Sequence, residues 1–455
     1  MQDNKNFLGT EPVGKLLLKL SIPTVIAQLI NMLYNIVDRI YIGHIPGEGS
    51  LALTGVGVCM PIIMIVSAFA ALVSSGGAPR ASIYMGKQDN KSAENILGNC
   101  FILQIIISVI LTAILLIWGR DLLLAFGASE NTISYATDYM HILRFSVPCS
   151  YNLTPWYECI SSLHRDFTTF FHGFRPDRCC LQYCLDPVFI FVSYGVRGAA
   201  LATVISQAIS TLWVVSFLCG KKTLLHLRKK HLHLEAKVVL PCIALGLAAF
   251  IMQSSESIVT VCFNSSLLRY GGDIAVGAMT ILTSVMQFAM LPLQGIAQGA
   301  QPISSYNYGA KNADRVKKTF RLLLITCLSY SVLLWAAVQL VPRVFVSIFT
   351  ADTDLIGFTA PMLKIYLGGL FLFGIQIACQ MTFTSLGKAV NSIIVAVVRK
   401  FVLLIPLIYI MPHMISDSTT GVYMAEPIAD ITAVIFTSVF IYIFSLKKAL
   451  AEIQN

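Results

Sequence analysis

Long apolar runs separated by short polar loops constrain this chain more than any other feature of its sequence. A helix needs about 20 mostly apolar residues to cross a bilayer. Runs of that length occur at about 16–42, 52–78, 96–118, 133–152, 197–219, 238–263, 274–298, 319–347, 357–385, 390–412 and 421–446. Because lipid leaves backbone polar groups without partners unless they form a helix, each run predicts a membrane-spanning helix. The stretch 153–196 is long enough to hold a further one, which would make twelve spans.

Composition supports a polytopic membrane protein. The chain has 455 residues, of which 56% are hydrophobic and 12% are charged, against about 25% charged residues in soluble domains. The net charge of +9 does not indicate nucleic-acid binding, because the basic residues cluster in alternate loops. The first apolar run is too long for a cleavable signal and contains Pro23, so we expect it to remain as a span.

A glycine–proline motif, G-x-x-P-x6-G, occurs twice. Each copy ends an apolar run and opens a basic loop, and the two prolines lie 223 positions apart, about half the chain. Its fixed residues are Gly76, Pro79 and Gly86 in the first copy and Gly299, Pro302 and Gly309 in the second. The repeat predicts an all-α fold of two parallel six-helix lobes around a central cavity.

The distribution of basic residues predicts the orientation. Lys and Arg residues follow the second, sixth, eighth and twelfth expected spans, and Lys388 follows the tenth, whereas the opposite loops are poor in them. This bias places both termini in the cytoplasm of a plasma-membrane or inner-membrane protein. The basic stretch 221–237 contains three histidines and six Lys or Arg residues. We interpret it as a cytoplasmic linker between an N-terminal lobe (1–220) and a C-terminal lobe (238–455).

Several short segments together resemble the multidrug and toxic compound extrusion (MATE) family of transporters. The matching pieces are Ile22-Pro23, Tyr34 to Asp38, Gly76 to Gly86, Leu185 to Pro187, Gly198 to Thr203, and Pro292 to Pro302. The pieces occur in the order expected for the family, and with the repeat and the twelve-span layout the resemblance extends over nearly the whole chain. The resemblance implies export of organic cations, driven by the inward flow of protons or sodium.

Intramembrane carboxylates are the candidate coupling groups. Asp38 lies in the first expected span, where a charged carboxylate costs about 2.5–3.5 kcal/mol and usually has a function; a structural pair with Arg39 is the alternative. Asp186 precedes Pro187, whose ring frees a backbone carbonyl beside the acid. The family places an Asn four residues before this Asp; here Gln182 stands there, so the match is incomplete.

Further polar residues mark the second half. Glu256 is flanked by serines and is either a cation site or a buried acid bonded to neighbouring hydroxyls. Gln287 and Gln294 suit the wall of a promiscuous cavity or contacts between helices. Glu426 and Asp430, four residues apart, are expected to form an ion-pair network with Arg399 that is structural rather than functional. Some family members have an Asp in the tenth span, where this chain offers only Gln376 and Gln380.

Residues 155–184 do not resemble a span. Charges occur every few positions, and the stretch holds four of the 12 cysteines and two of the 8 histidines, in a spacing that matches no usual zinc site. Our preferred hypothesis is a local reading-frame error that damages the fifth span. Codons shifted by one base across Asp177 to Leu185 can encode an apolar segment containing the missing Asn.

The sequence therefore predicts a monomeric antiporter of small organic cations in the lipid bilayer, with a proton or sodium as coupling ion and no other cofactor. A flippase of lipid-linked precursors from the same superfamily is the alternative, although it should carry a cationic cavity. A membrane enzyme is disfavoured because no catalytic motif is present. The two-lobe repeat disfavours a channel or receptor.

Overall fold

The computed structural model describes residues 7–43, 49–126, 132–146, 195–219, 225–350 and 352–440, together with Leu185 and Phe189. The regular structure in these ranges is helical. The helices are α1 (Phe7–Thr10), α2 (Val13–Gly43), α3 (Gly49–Gly86), α4 (Asn90–Ala125), α5 (Ile133–Ser146), α6 (Gly195–Cys219), α7 (Ala236–Gly272), α8 (Ile274–Gly309), α9 (Ala313–Leu340), α10 (Pro342–Ser347), α11 (Thr353–Tyr366), α12 (Leu370–Ser385), α13 (Ala389–Val397), α14 (Ile405–Met414) and α15 (Ser418–Phe440).

Within the described ranges, seven spans are long and apolar enough to cross a membrane, and a bent pair raises the number to eight. The bent pair is α11 and α12, which meet at 49° inside the run predicted at 357–385. Gly272 separates α7 from α8 because its φ of 65° lies in the left-handed region that glycine tolerates. The two spans predicted at 238–263 and 274–298 are therefore distinct.

Contacts divide the chain into two compact units. Unit one comprises the described residues of Met1–Thr10 and Ile26–Gln253, and unit two comprises those of Glu11–Val25 and Ser254–Asn455. Two long helices are therefore divided: the part of α2 up to Val25 belongs to unit two, and the part of α7 up to Gln253 belongs to unit one. The division of the sequence into lobes at the basic linker 221–237 stays a prediction.

The loop after each motif copy repeats in the backbone. Gln88 and Lys311, 223 positions apart, have φ values of 62° and 57°. The next residues, Asp89 and Asn312, cap the following helices by accepting a backbone hydrogen bond three residues on, at 3.0 and 3.3 Å. Gly387, with φ 70°, makes a third turn of this kind between α12 and α13. The internal repeat is therefore visible in equivalent capping hydrogen bonds as well as in the sequence.

The motif glycines permit close helix contacts inside each unit. In unit one, a Cβ on Gly76 of α3 would lie 1.8 Å from the carbonyl oxygen of Cys242 in α7. In unit two, a Cβ on Gly299 of α8 would lie 2.6 Å from the Cα of Ser21 in α2. The two units thus share one arrangement: the opening segment of α7 packs against α3, and the opening segment of α2 packs against α8. Small residues allow backbones in membrane bundles to approach this closely.

The helices also continue farther than the apolar runs suggested. We expected spans to end at 78 and 298, before the motif prolines, but α3 and α8 run on to Gly86 and Gly309. All six fixed motif residues are buried. The helices continue through Pro79 and Pro302 because neighbouring groups in a helical bundle can satisfy the backbone carbonyls that a proline frees.

The described part of the basic linker packs against the start of α4. Arg228 forms a 3.0 Å ion pair with the buried Glu94, and Asn99 accepts a 2.6 Å hydrogen bond from the backbone of Glu235. A hydrogen bond from His233 is the main cause that holds the pKa of Glu235 below its ordinary value. Burial lowers the pKa of His231. The linker residues are thus fixed in place by specific polar contacts.

Candidate cation and coupling site

Among the described residues of unit two, five charged side chains meet within its spans. This charge cluster consists of Glu256 of α7, Arg399 and Lys400 of the turn between α13 and α14, and Glu426 and Asp430 of α15. Charged residues inside a membrane are rare, usually pair with one another and often mark a transport pathway. The cluster is therefore the strongest candidate site among the described residues.

Arg399 holds two carboxylates together. Its Nη2 lies 2.7 Å from Oδ1 of Asp430 and 3.2 Å from Oε1 of Glu426, and its Nε donates to the same Asp430 oxygen at 2.8 Å. All three side chains are at most 5% exposed. The Phe373 ring lies 4.5 Å from the guanidinium carbon, a cation–π contact. The ion-pair network predicted from the sequence is present.

Lys400 is a member of the cluster that the sequence analysis missed. Its Nζ lies 2.8 Å from Oε1 of Glu256, and its side chain is only 3% exposed. Residues Val398–Leu404 form a π-helical turn, in which both Arg399 and Lys400 are buried, and such turns are frequent at functional sites. Two adjacent basic residues inside the apolar run 390–412 were the available signal.

Glu256 has a different environment from the other two acids. Its side chain is 52% exposed, although its helix crosses the membrane. The neighbouring serines suggested a hydroxyl-bonded acid, but the observed partner is the Lys400 ammonium. Glu256 therefore presents one side to a buried cation and its other side outward, where a second cation could approach.

The remaining predicted residues are placed unequally. Asp38 lies in the last two turns of α2, and its side chain lies outside the described residues, as do Asp186 and Gln182. Gln287 and Gln294 are two turns apart on one face of α8, and both side chains are exposed. They are not members of the charge cluster. The roles of these two glutamines stay predictions, as do the roles of Asp38, Asp186 and Gln182.

Comparison with known proteins identifies related sequences along the whole chain. A family model described as MatE matches residues 23–163 and 246–410. Among curated proteins, the multidrug export protein MepA of Staphylococcus haemolyticus (strain JCSC1435) is 24% identical over 452 residues, covering 99% of this chain and 98% of its own length. MepA of Staphylococcus aureus (strain MSSA476) is 22% identical, covering 96% and 95%.

Solved structures share the fold. A crystal structure of MATE in complex with MaD3S has a TM-score of 0.89 at 23% identity, covering 98% of this chain and 99% of the other. A MOP superfamily transporter from Pyrococcus furiosus, described as having a binding pocket of reverse polarity, has a TM-score of 0.89 at 22% identity and 99% coverage of both chains. The predicted fold class, an all-α polytopic membrane protein of twelve spans in two lobes, is confirmed.

Proposed function

Because the MatE family model matches most of its length, this chain belongs to the MatE family, and we propose that it exports organic cations by antiport. The relatives named multidrug export proteins match it almost end to end. Transport across the membrane, rather than catalysis, is therefore its activity. We assign alternating access between the two sides of the membrane as the mechanism.

The excess of acids in the charge cluster is the observation that carries the choice of cargo. Three carboxylates face two cations there, and Glu256 is the exposed member. An acidic site attracts cations and disfavours the pyrophosphate of a lipid-linked precursor, because like charges brought together in a low dielectric cost free energy. A cationic drug is the cargo that this charge balance supports, which ranks the flippase alternative second.

Glu256 is the residue that we assign to cargo binding. A cation approaching its exposed side would share the carboxylate with Lys400, which lies on the buried side at 2.8 Å. Gln287 and Gln294 add exposed amides along α8. Amides contact many ligands without demanding one charge pattern, which suits a transporter of several substrates.

Asp38 and Asp186 are the coupling groups in this proposal, with Gln182 beside the latter. A carboxylate taken from water into an apolar site favours its protonated form, whereas a nearby cation favours its ionised form. One such group holds a proton or supports a bound cation, but not both at once. This competition is sufficient to exchange a coupling ion for cargo.

Inverted membrane vesicles provide the test. A fluorescent cation such as ethidium should accumulate when a proton or sodium gradient is imposed, and collapse of the coupling gradient alone should stop it. Asp38→Asn keeps the size of the side chain but fixes it in a neutral form, so gradient-driven transport should be lost while membrane insertion is retained. Because we predict that the stretch 155–184 impairs transport, the chain with a restored fifth span is tested beside the chain as given.

Two results would overturn the proposal. Absence of gradient-driven ethidium uptake in the restored chain, with normal insertion, would remove organic cations as cargo. Uptake by Asp38→Asn at the parental rate and with the parental dependence on pH would remove Asp38 from the coupling step.

A further inference from the structure

The charges at the buried end of the cluster do not balance. Within the part of the chain that the structure describes, Arg399 is the one cation within ion-pair distance of Glu426 and Asp430, so both carboxylates pair with the same positive charge. Lys400 is paired with Glu256, whose exposed side is available to solvent or cargo. A surplus negative charge among groups at most 5% exposed is costly, because a buried ion without a partner loses several kcal/mol of solvation.

The environment of the two acids offers no other described charge to compensate. Among the described residues, the charged groups that act on Glu426 are Asp430, Lys400, Arg399 and Glu256, and Tyr366 of α11 adds a buried phenol beside them. With all five members of the cluster ionised, its net charge is −1. One added positive charge makes the cluster neutral.

A proton fits this place better than a metal ion. Arg399 bonds to one oxygen of each acid, Oε1 of Glu426 and Oδ1 of Asp430, and a proton needs only one further oxygen. A hard metal cation needs a shell of about six oxygens, whereas one oxygen of each acid is already bonded to the cationic guanidinium of Arg399, which repels a second cation. Two carboxylates that share a proton are a known arrangement when like charges are forced together.

A buried amide lies on the helix that packs against these groups. Helix α12 approaches α15 at Gly369, where a Cβ would lie 3.1 Å from the Cβ of Asp430. Phe373 and Gln376 follow on the same face of α12, because positions four and seven residues on align along a helix. Gln376 is 1% exposed, and neither polar atom of its side chain has a hydrogen-bond partner among the residues that the structure describes.

From this geometry we propose that Glu426 and Asp430 share one exchangeable proton, and that Lys400 links its release to cation binding at Glu256. When an organic cation pairs with Glu256, it neutralises the negative charge of that carboxylate, which until then offsets the Lys400 charge at the other two acids. They then ionise and release their proton, so one positive charge enters the cluster and one leaves. This linkage rests on the proposed export function, whereas the shared proton rests on the cluster alone.

Infrared spectroscopy of the purified full chain tests the shared proton without cargo or gradient. The parent at neutral pH should show the C=O stretch of one protonated carboxylic acid, identified by its shift in heavy water. Glu426→Gln and Asp430→Asn should each remove that band, because each leaves the cluster neutral without a proton. A parent spectrum with no band that these variants remove would overturn the proposal.

Glu256→Gln provides the sharper test, because it changes an exposed residue that does not contact Arg399. It removes the negative charge that offsets Lys400, so the band from Glu426 and Asp430 should disappear although both residues remain. Persistence of the full band in folded Glu256→Gln would refute the linkage. Lys400→Met is the opposite control: it makes the cluster more negative, so the band should remain or grow.

Tetraphenylphosphonium tests the exchange itself in weakly buffered solution with a pH-sensitive dye. Its binding to Asp38→Asn protein with the restored fifth span, in which Asp38 cannot contribute, should release one proton, and the added Glu426→Gln change should abolish that release. Binding with no release, together with the infrared band, would refute the linkage and leave the proton site in place. Failure of the cation to bind would count against the export function, while the infrared result would still decide the proton site.

Discussion

Gly76→Ala is expected to destabilise unit one by forcing apart two helices that now touch through their backbones. The new methyl carbon would lie 1.8 Å from the carbonyl oxygen of Cys242 and 2.9 Å from the backbone nitrogen of Gly246. An ordinary contact begins at 3.4 Å, so α3 and α7 would have to separate locally by roughly 1.6 Å. Neither obstructing atom belongs to a side chain that could rotate away.

The expected cost follows from the rigidity of that contact. Inserting extra methyl groups into a packed core costs typically about 1–3 kcal/mol, and a clash with backbone atoms belongs at the upper end of this range. Against it, replacing a helical glycine by alanine gains about 1 kcal/mol of helix propensity. We therefore expect a net loss of about 2 kcal/mol in the free energy of unfolding.

Gly57→Ala is the matched control on the same helix, since a Cβ there meets nothing within 4 Å. Unfolding of both variants in detergent micelles, followed by circular dichroism against denaturant, measures the difference. Gly57→Ala should be neutral or slightly stabilising and Gly76→Ala clearly destabilising. Equal stability of the two variants would refute the argument that the motif glycine exists for close packing.

Three further predictions address the loops and the damaged stretch. Asp89→Ala should cost about 1 kcal/mol of unfolding free energy by removing the N-cap of α4. Hydrogen bonds from Ser92 lower the pKa of Asp89 from 3.8, so this contribution is present above pH 3.8 and is lost as the pH falls through the lowered pKa. Asp89→Asn, which copies Asn312, should remove this acid dependence in unfolding measurements. Cysteines at Lys91 and Lys317 should react with impermeant maleimide only in inverted vesicles; labelling in intact cells would contradict the predicted topology. The chain with residues 155–184 as given should transport ethidium poorly and the restored chain well; equal rates would disprove the reading-frame hypothesis.

The sequence by itself determined the spans, the repeat and the family. Hydropathy is decisive in a membrane, because each crossing must be a long apolar helix whatever its neighbours are. Arg399, Glu426 and Asp430 were also recognisable as an ion-pair network, since charges stand out in apolar runs and must pair somewhere. The motif spacing of 223 residues was visible from glycines and prolines alone.

Only the tertiary structure decided which groups meet. The pairing of Glu256 with Lys400 joins residues 144 positions apart, and it depends on a π-helical turn that hydropathy does not reveal. The close contacts of Gly76 and Gly299 likewise require knowing which helix lies opposite. An apolar pattern shows that a helix lies in the membrane, but it does not show which helices are its neighbours. Apolar side chains contact lipid and other apolar side chains about equally well, so the pattern carries no preference between them. Partner choice comes instead from backbone approach and polar contacts, which exist only in the folded chain.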